Sequence, residues 1–514
     1  MPALIIHGHF YQPPRENPWT GNIDTEPDAA PFHDWNERIH AECYAPNTAV
    51  ILQTADGSDR VVNNYANISF DFGPTLLSWL ERQHPDTYSR IIAADAQSVV
   101  RFNGHGNAIA QAYNHAILPL CNERDRLTQI RWGLADFRYR FGREPEALWL
   151  PETACNDEVL DSLIDHGLRF VILAPQQAAR TRQAGAAPGS WEEKTKDSID
   201  TSVPYVRYHR DGSGKSLAVF FYDPDIAHAI AFDAALSSSA ALAERLAHRL
   251  GSGEMVNVAT DGESYGHHHK FGDLGLAHLL EVAAPALGFR VTNYGEFLDL
   301  HPPTVEVEID LGLAGEGSSW SCIHGVSRWA SDCGCHTGGE ENWNQTWRKP
   351  LRAALNFLRD EAAAAFESTR GVLFSDPWAA RDDSIKLVLD QFESREMFLR
   401  THAPGQLNRE QELKALAFLE MQRNALLMFT SCGWFFNDIG GLEPIQILKY
   451  ACRVIELLQE LGLPSPREQF LIFLAEAKSN RPELGNGADI YRRLVEPANP
   501  SFAGKGERMA PVTA

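Results

Sequence analysis

Short apolar runs alternate with amphipathic stretches over residues 1 to about 300, and this alternation constrains the fold more than any other feature of the chain. The runs have the length of buried strands, and the stretches between several of them have helical spacing of apolar residues. Such alternation is typical of a parallel sheet covered by helices. The runs are Leu4–His7, Val50–Gln53, Ile68–Phe72, Ala147–Leu150, Phe170–Leu173, Leu217–Tyr222 and Met255–Thr260, and the stretches include Pro74–Gln83, Asp125–Phe141 and Asn156–His166.

Two of these runs stop abruptly at a carboxylate. Ala147–Leu150 is followed by Pro151 and Glu152, and Met255–Thr260 is followed by Asp261. Carboxyl ends of parallel strands meet at one edge of a sheet or one face of a barrel, where catalytic groups are usually placed. Two carboxylates facing one pocket are the minimum equipment for glycoside hydrolysis, in which one attacks or stabilises and the other moves a proton.

From about residue 345 the pattern becomes helical. Apolar residues there have helical spacing, and the chain is long enough for two or three domains. We predict a catalytic domain over 1–310, a helical domain over 311–496 that completes the active-site cleft, and a disordered tail over 497–514. The predicted helices are Arg348–Ser368, Asp383–Arg400, Arg409–Phe429, Pro444–Glu460 and Glu468–Lys478.

Charge and composition exclude several classes of protein. The formal net charge of −22 repels phosphate backbones, so no nucleic-acid partner is expected. No run approaches the length of a membrane span, and the first residues do not resemble a signal peptide. The eight cysteines have no regular disulfide spacing, which favours the reducing cytoplasm.

Histidines and cysteines form three groups whose role the residues alone leave open. His7 and His9 alternate along an extended segment and therefore point the same way; they could bind sugar hydroxyls or a metal, or simply end a strand. The three histidines of 267–269 are adjacent, and adjacent residues rarely ligate one ion. Cys322, His324, Cys333, Cys335 and His336 could form a structural zinc site, although their spacing matches no familiar zinc finger and free cysteines are commonly buried.

Trp434 lies at the end of an apolar helical stretch. Its pattern favours a core residue, and the functional alternative is a sugar platform supplied by the helical domain.

Together, several segments resemble the sequence motifs of glycoside hydrolase family 57, a retaining family active on α-glucans. The second motif of the family often carries Glu before its histidine, where this chain has Gln111. The matching segments are His7–Glu16, Asn114–Leu120, Trp149–Glu152, Thr260–Glu263 with Gly266-His267, Ser318–Trp320 and the helix end at Trp434.

The resemblance implies an α/β fold: an incomplete (β/α)7 TIM-like barrel followed by a C-terminal α-helical domain. It implies Glu152 as nucleophile and Asp261 as acid/base in a double displacement that needs no metal or organic cofactor. The implied partner is an α-glucan oligosaccharide or polysaccharide, cleaved or transferred as by an amylase, a 4-α-glucanotransferase or a branching enzyme. The implied substrate-binding residues are His7, His9, Gln12, His115, Trp149, Glu263, His267, Trp320 and Trp434.

Two alternatives remain open from the residues. A metal-dependent polysaccharide deacetylase or mannosidase on a related barrel would use His7, His9 and Asp261 as ligands of an ion. A non-catalytic glycan-binding protein would keep the pocket without the chemistry, although the presence of both carboxylates argues against it.

Overall fold

The computed structural model describes residues 1–53, 57–187, 189–251, 253–390 and 395–499. It divides into two compact units. The first comprises Met1–Gln12, Thr25–Tyr113 and Gln129–Gly325, and the second comprises Pro13–Asp24, Asn114–Thr128 and the chain from Val326 onward. The division predicted at 310/311 therefore differs from the observed one, since two short N-terminal segments belong to the second unit. Most of the predicted disordered tail lies outside the described residues.

The described part of the first unit contains the barrel that the alternating runs predict. Seven parallel strands follow one another in the order β12, β1, β4, β5, β6, β7, β11. The barrel is incomplete because β11 and β12 are joined by a backbone hydrogen bond from Asp223 to Asn257 instead of a ladder. The strands are β1 Ala3–Phe10, β2 Val50–Gln53, β3 Asp59–Val62, β4 Ser69–Phe72, β5 Ala110–Gln111, β6 Leu148–Trp149, β7 Phe170–Leu173, β8 Ala178–Gln183, β9 Glu192–Glu193, β10 Tyr205–Tyr208, β11 Ser216–Phe221, β12 Met255–Asp261, β13 Arg290–Val291 and β14 Val305–Ile309.

One predicted strand has a different place. Val50–Gln53 forms β2, which pairs antiparallel with β3 and lies outside the barrel. The barrel strand between β4 and β6 is instead Ala110–Gln111, a strand of two residues that none of the predicted runs covers. Strands β8, β9, β10 and β14 extend the sheet from β11, so part of the barrel wall continues as a mixed sheet.

Helices cover the strands as the periodicity predicts. Pro74–Gln83 agrees with the prediction at both ends, and a proline at its first position suits a helix start because that residue needs no intrahelical N–H donor. The helices up to residue 300 are α1 Trp35–Ile39, α2 Ala45–Asn47, α3 Pro74–Gln83, α4 Pro85–Arg101, α5 Glu123–Phe141, α6 Asp157–Asp165, α7 Pro224–Phe232, α8 Ser239–Leu250, α9 Gly272–His278, α10 Ala284–Ala286 and α11 Tyr294–Leu300, with π-helical turns at His40–Tyr44 and Leu279–Ala283.

The second unit is helical, and its helices α12, α16 and α18 pack against one another. Leu351, Leu355 and Leu358 recur at helical spacing on α12 and are completely buried. The predicted helix Asp383–Arg400 is instead split into shorter pieces. The helices are α12 Arg348–Glu367, α13 Pro377–Asp383, α14 Ile385–Val388, α15 Arg395–His402, α16 Arg409–Leu427, α17 Cys432–Phe435, α18 Leu442–Glu460, α19 Arg467–Ala475 and α20 Gly487–Ile490.

Among the described residues no single helix is long and apolar enough to cross a membrane. One pair bent by 94°, Pro224–Phe232 with Ala235–Leu250, meets the length and composition criteria only when its two parts are combined.

Candidate active site

The candidate site begins where strand β1 runs between β4 and β12. In the parallel register His9 lies opposite Asp71 on one side and opposite Asp261 on the other. Side chains two residues apart on a strand share a face. His7 and His9 therefore share one face of β1, as the sequence predicts. Because β1 lies between β4 and β12, polar residues of these three strands come together at the carboxyl end of the barrel.

Asp71 holds both histidines. His7 Nε2 lies 3.0 Å from one carboxylate oxygen and His9 Nδ1 lies 2.9 Å from the other. His7 Nδ1 also bonds to the Ser69 hydroxyl at 3.0 Å. The Trp149 ring stacks on both imidazoles, with ring centroids 4.8 Å and 5.0 Å apart. Asp71 is completely buried, so its charge is balanced inside the protein by these partners.

The two histidines differ in charge because their surroundings differ. Burial lowers the pKa of His7 despite its hydrogen bond to Asp71, so its imidazole is neutral at pH 7. Burial also lowers the pKa of His9, but the charge and hydrogen bond of Asp71, together with Asp261 and Glu263, raise it overall to about 9. His9 is therefore an imidazolium at neutral pH, and it supplies positive charge beside several carboxylates.

Glu152 lies in a strained turn directly after β6. Its backbone φ is 60° and that of Thr153 is 49°, both in the left-handed region that residues with a Cβ rarely adopt. Such residues cost about 1–3 kcal/mol each and persist only where surrounding contacts fix them. Gln177 supplies these contacts: its amide accepts from Thr153 Oγ1 at 2.8 Å and donates to Thr153 O at 2.9 Å. Trp320 N donates to Glu152 O at 3.1 Å.

The Glu152 side chain accepts two hydrogen bonds on one oxygen. Trp320 Nε1 donates to Oε2 at 3.0 Å, and Ser321 Oγ donates to the same atom at 2.6 Å. Donors of this kind stabilise the charged form of a carboxylate and fix its orientation. The second oxygen, Oε1, accepts no hydrogen bond from the described residues, so it is the one available to react.

Asp261 ends β12 in a contrasting environment. The residue keeps some surface accessible to water, but the protein around its carboxyl removes much of that group's hydration. This desolvation raises the pKa of the Asp261 carboxyl to about 6; His9 opposes the shift, and the negative charges of Glu152 and Asp71 add to it. The coupling to Glu152 means that the two carboxylates interact across the carboxyl end of the barrel, as their strand-end positions predict.

Glu263 lies two residues beyond Asp261 and is buried. Burial raises the pKa of its carboxyl to about 7, although a hydrogen bond from the Tyr44 hydroxyl at 2.6 Å lowers it. Tyr11 N also donates to Glu263 Oε1, at 3.2 Å. The turn that carries Glu263 needs a glycine at 262, because a Cβ there would lie 2.3 Å from the Phe10 ring.

The remaining predicted residues of the first unit fall into two groups. Trp320 is partly exposed, and its ring lies edge-on to that of Trp149. His267 is also partly exposed and is bonded to Glu42. Trp320 and His267 are therefore accessible to a ligand. Gln12 is 9% exposed and its amide donates to Tyr11 O. His7 and Trp149 are 0% and 1% exposed, and the Trp149 ring stacks on His9. That these two side chains bind sugar stays a prediction.

Two predicted binding residues belong to the interior of the second unit. His115 is 1% exposed, and its Nδ1 lies 2.6 Å from the Ser431 hydroxyl. Trp434 is completely buried, donates from Nε1 to Arg348 O at 3.3 Å and is covered by the Arg352 guanidinium. Neither side chain presents a face to solvent in this structure, and that the two bind sugar stays a prediction. Trp434 is the core residue that its helical pattern favours.

Sequence reasoning gave no role in the site to Asp71, Tyr44 or Gln111. Asp71 lies within the predicted run Ile68–Phe72, and its alternation with Ser69 could have placed it beside the histidines. Gln111 is 2% exposed, lies opposite Trp149 in the register of β5 and β6, and has no hydrogen-bond partner for its amide among the described residues. A buried amide without a hydrogen-bond partner indicates that a polar ligand or water binds at this strand end. Tyr44, 219 residues from Glu263, left no signal in the sequence.

The cysteine- and histidine-rich segment gives no further information on zinc. Cys322 and His324 belong to the first unit, and Cys333, Cys335 and His336 belong to the second. A structural zinc ion there stays one of the two readings that the sequence leaves open.

Comparisons with known proteins agree with this picture. A family model described as Glycosyl hydrolase family 57 matches residues 3–310, and one described as a domain of unknown function, DUF3536, matches residues 343–510. The family resemblance inferred from the motifs is therefore confirmed. An α-amylase of Pyrococcus abyssi is 22% identical over 275 residues, which are 51% of this chain and 37% of that protein. The curated relatives are thus matched over less than half of their length.

Solved structures show the same fold at low sequence identity. An exo-type maltose-forming amylase from Pyrococcus sp. ST04 superposes with a TM-score of 0.67 at 15% identity, covering 92% of this chain and 82% of the other. A branching enzyme from Pyrococcus horikoshii gives a TM-score of 0.55 at 14% identity, covering 93% and 94%. The predicted partial TIM-like barrel followed by a helical region is confirmed.

Proposed function

Because the chain belongs to glycosyl hydrolase family 57, we propose that it cleaves or transfers the α-glucosidic bonds of α-glucans with retention of anomeric configuration. One observation carries the proposal: two interacting carboxylates at barrel strand ends, one held by hydrogen-bond donors and the other with its pKa raised to about 6. That division between a charged group and a protonatable group is what a double displacement requires. Its relatives, which include amylases and a branching enzyme, favour α-glucan as the substrate class.

In the first step Glu152 attacks the anomeric carbon. Trp320 and Ser321 both bind Oε2, so Oε1 is the attacking atom and forms the bond to the sugar. Asp261 donates its proton to the glycosidic oxygen as the bond to the leaving sugar breaks. The products are a covalent glycosyl–Glu152 ester, an Asp261 carboxylate and a released chain end.

In the second step Asp261 acts as base. It removes a proton from the acceptor, whose oxygen attacks the anomeric carbon and displaces Glu152. Water as acceptor gives hydrolysis, and a sugar hydroxyl gives transglycosylation. Both halves use the same residues, so the partition between them depends on how well the acceptor side of the cleft binds sugar and excludes water.

His9, Gln12, Glu263, His267 and Trp320 are the proposed sugar-binding residues. His9 is a charged donor held by Asp71, which suits a hydroxyl group near the reacting carbon. Trp320 offers an indole ring beside Glu152, and flat apolar rings stack on sugar faces. The predicted cytoplasmic location rests on cysteine spacing alone and stays a proposal.

Product analysis tests the proposal directly. Incubation with amylose and with glycogen, followed by sizing and linkage analysis, should show shorter α-1,4-linked products, elongated ones, or new branch points. Unchanged amylose and glycogen, together with deacetylation of an N-acetylated polysaccharide, would contradict it.

A further inference from the structure

A group of metal-ligating side chains lies outside the candidate active site, in the helical segment that follows residue 34. Glu37 and His40 are three positions apart on continuous helix, where α1 passes into the π-helical turn His40–Tyr44, and so share one face. His84 comes from the junction between α3 and α4. Each of the three offers one ligand atom, and these atoms all lie within 4.8 Å of one another.

The three side chains contact one another and their neighbours. His84 Nε2 lies 3.0 Å from a Glu37 oxygen, and the His84 ring stacks on the His40 ring with centroids 3.6 Å apart. His40 Nε2 lies 2.9 Å from the hydroxyl of Thr87, which is itself buried. The Trp79 ring packs against both imidazoles, with centroids 6.1 Å from His40 and 4.9 Å from His84.

We propose that Glu37, His40 and His84 form a binding site for a divalent transition-metal ion such as Zn²⁺. Two imidazoles and one carboxylate are a ligand set that zinc accepts, with a further position open to water. The Thr87 hydroxyl is hydrogen-bonded to Nε2 of His40, so Nδ1 is the nitrogen that would bind the ion. Metal-bound imidazoles commonly have their second nitrogen fixed by such a hydrogen bond. Binding turns the two rings out of their parallel stack, because the lone pair of each lies in its ring plane.

The ion would link parts of the chain that are distant in sequence. Glu37 and His84 are separated by 47 positions, so a shared ion closes a long loop between the helical segment at 35–44 and the α3–α4 junction. An ion that binds only the folded protein raises its stability by mass action. The inference concerns a structural site and does not depend on the proposed glucan chemistry.

The test compares bound metal in matched variants of the full chain. His84→Gln removes one ligand of the proposed site. His228→Gln is the control, because His228 also pairs with a carboxylate, that of Asp233 at 3.4 Å, but belongs to no such group among the described residues. After dialysis against a chelator and then against buffered Zn²⁺, elemental analysis should give one ion fewer per chain for His84→Gln, and no change for His228→Gln. Any ion on the cysteines of 322–335 is common to all three proteins and cancels.

Thermal unfolding gives the second measurement. Zn²⁺ should raise the midpoint of the wild-type protein and of His228→Gln, and should raise that of His84→Gln less. If circular dichroism shows that His84→Gln does not fold, Glu37→Gln takes its place, since a glutamine keeps the size and polarity of that position. Equal zinc content and equal thermal shifts in the wild-type protein and in the folded ligand variant would overturn the proposal.

Discussion

Glu152 and Asp261 are carboxylates at the ends of two strands of one barrel, and their surroundings differ. Glu152 accepts hydrogen bonds from Trp320 and Ser321 on one oxygen and is held in a left-handed turn. Asp261 receives no hydrogen bond from the described side chains, and desolvation raises its pKa to about 6. Strand-end position brings the two acids together, whereas the groups around each one decide whether it attacks or carries a proton.

The largest effect is expected at Glu152. Glu152→Gln keeps size and hydrogen bonding but removes the attacking oxygen's charge, so turnover on an α-glucan should fall by at least ~10³-fold, with substrate affinity largely kept. Steady-state kinetics with amylose checks this. Glu244→Gln, at an exposed helical position, is the matched control and should leave turnover unchanged. Near-normal turnover of Glu152→Gln would move the nucleophile elsewhere.

Loss of the Trp320 donor should have the next largest effect. Trp320→Phe keeps an aromatic ring beside Trp149 but removes the hydrogen bond that orients Glu152. Hydrogen bonds to charged groups contribute about 1.5–3 kcal/mol, which corresponds to a loss of about 10- to 100-fold in kcat. Trp191→Phe, a tryptophan that stacks on Arg182 in the first unit, serves as control. Equal activity of both variants would show that the Trp320 bond does not orient the nucleophile.

The pH dependence of kcat/KM tests the role of Asp261 as the acid. Asp261 must be protonated to act as acid, so kcat/KM should fall as pH rises above about 6. His9→Gln removes the positive charge that lowers the pKa of Asp261, and this alkaline limb should therefore move to higher pH. The measurement is kcat/KM against pH for both proteins. A limb that stays in place or moves to lower pH would contradict the assignment.

Chelation should have the smallest effect. If no ion takes part in the chemistry of Glu152 and Asp261, dialysis against a chelator should leave turnover unchanged at a temperature well below unfolding, even where it lowers thermal stability. Activity that disappears with the chelator and returns with Zn²⁺, while the fold stays intact, would favour a metal-dependent deacetylase or mannosidase.

Only part of the fold can be predicted from the sequence. Barrel strands long enough to form apolar runs were predictable, and so were the carboxylates that end two of them. Strand β5 was not, because the polar Gln111 interrupts its apolar pattern and its place is set by pairing with Leu148–Trp149. The run Val50–Gln53 has strand character, but only its antiparallel pairing with β3 excludes it from the barrel. The local hydrophobic pattern indicates which residues are buried, whereas strand pairing depends on residues that are distant in sequence.

The same limit applies to the site. His9 was predictable as a residue of the cleft, but its charge depends on Asp71, which is 62 positions away. His115 and Trp434 fit their motifs, yet buried partners in the second unit use both side chains. A motif therefore locates a residue in the family's pattern without showing whether its side chain faces a ligand or the core.

The most direct test of the two roles is azide rescue of Asp261→Ala. With an activated leaving group such as nitrophenolate, glycosylation of Glu152 needs no acid, so the intermediate should accumulate because deglycosylation lacks its base. Azide needs no base and should restore turnover, giving an α-glycosyl azide, and mass spectrometry should find the trapped sugar on Glu152 when azide is absent. A β-glycosyl azide, or equal loss with all leaving groups and no rescue, would contradict the account.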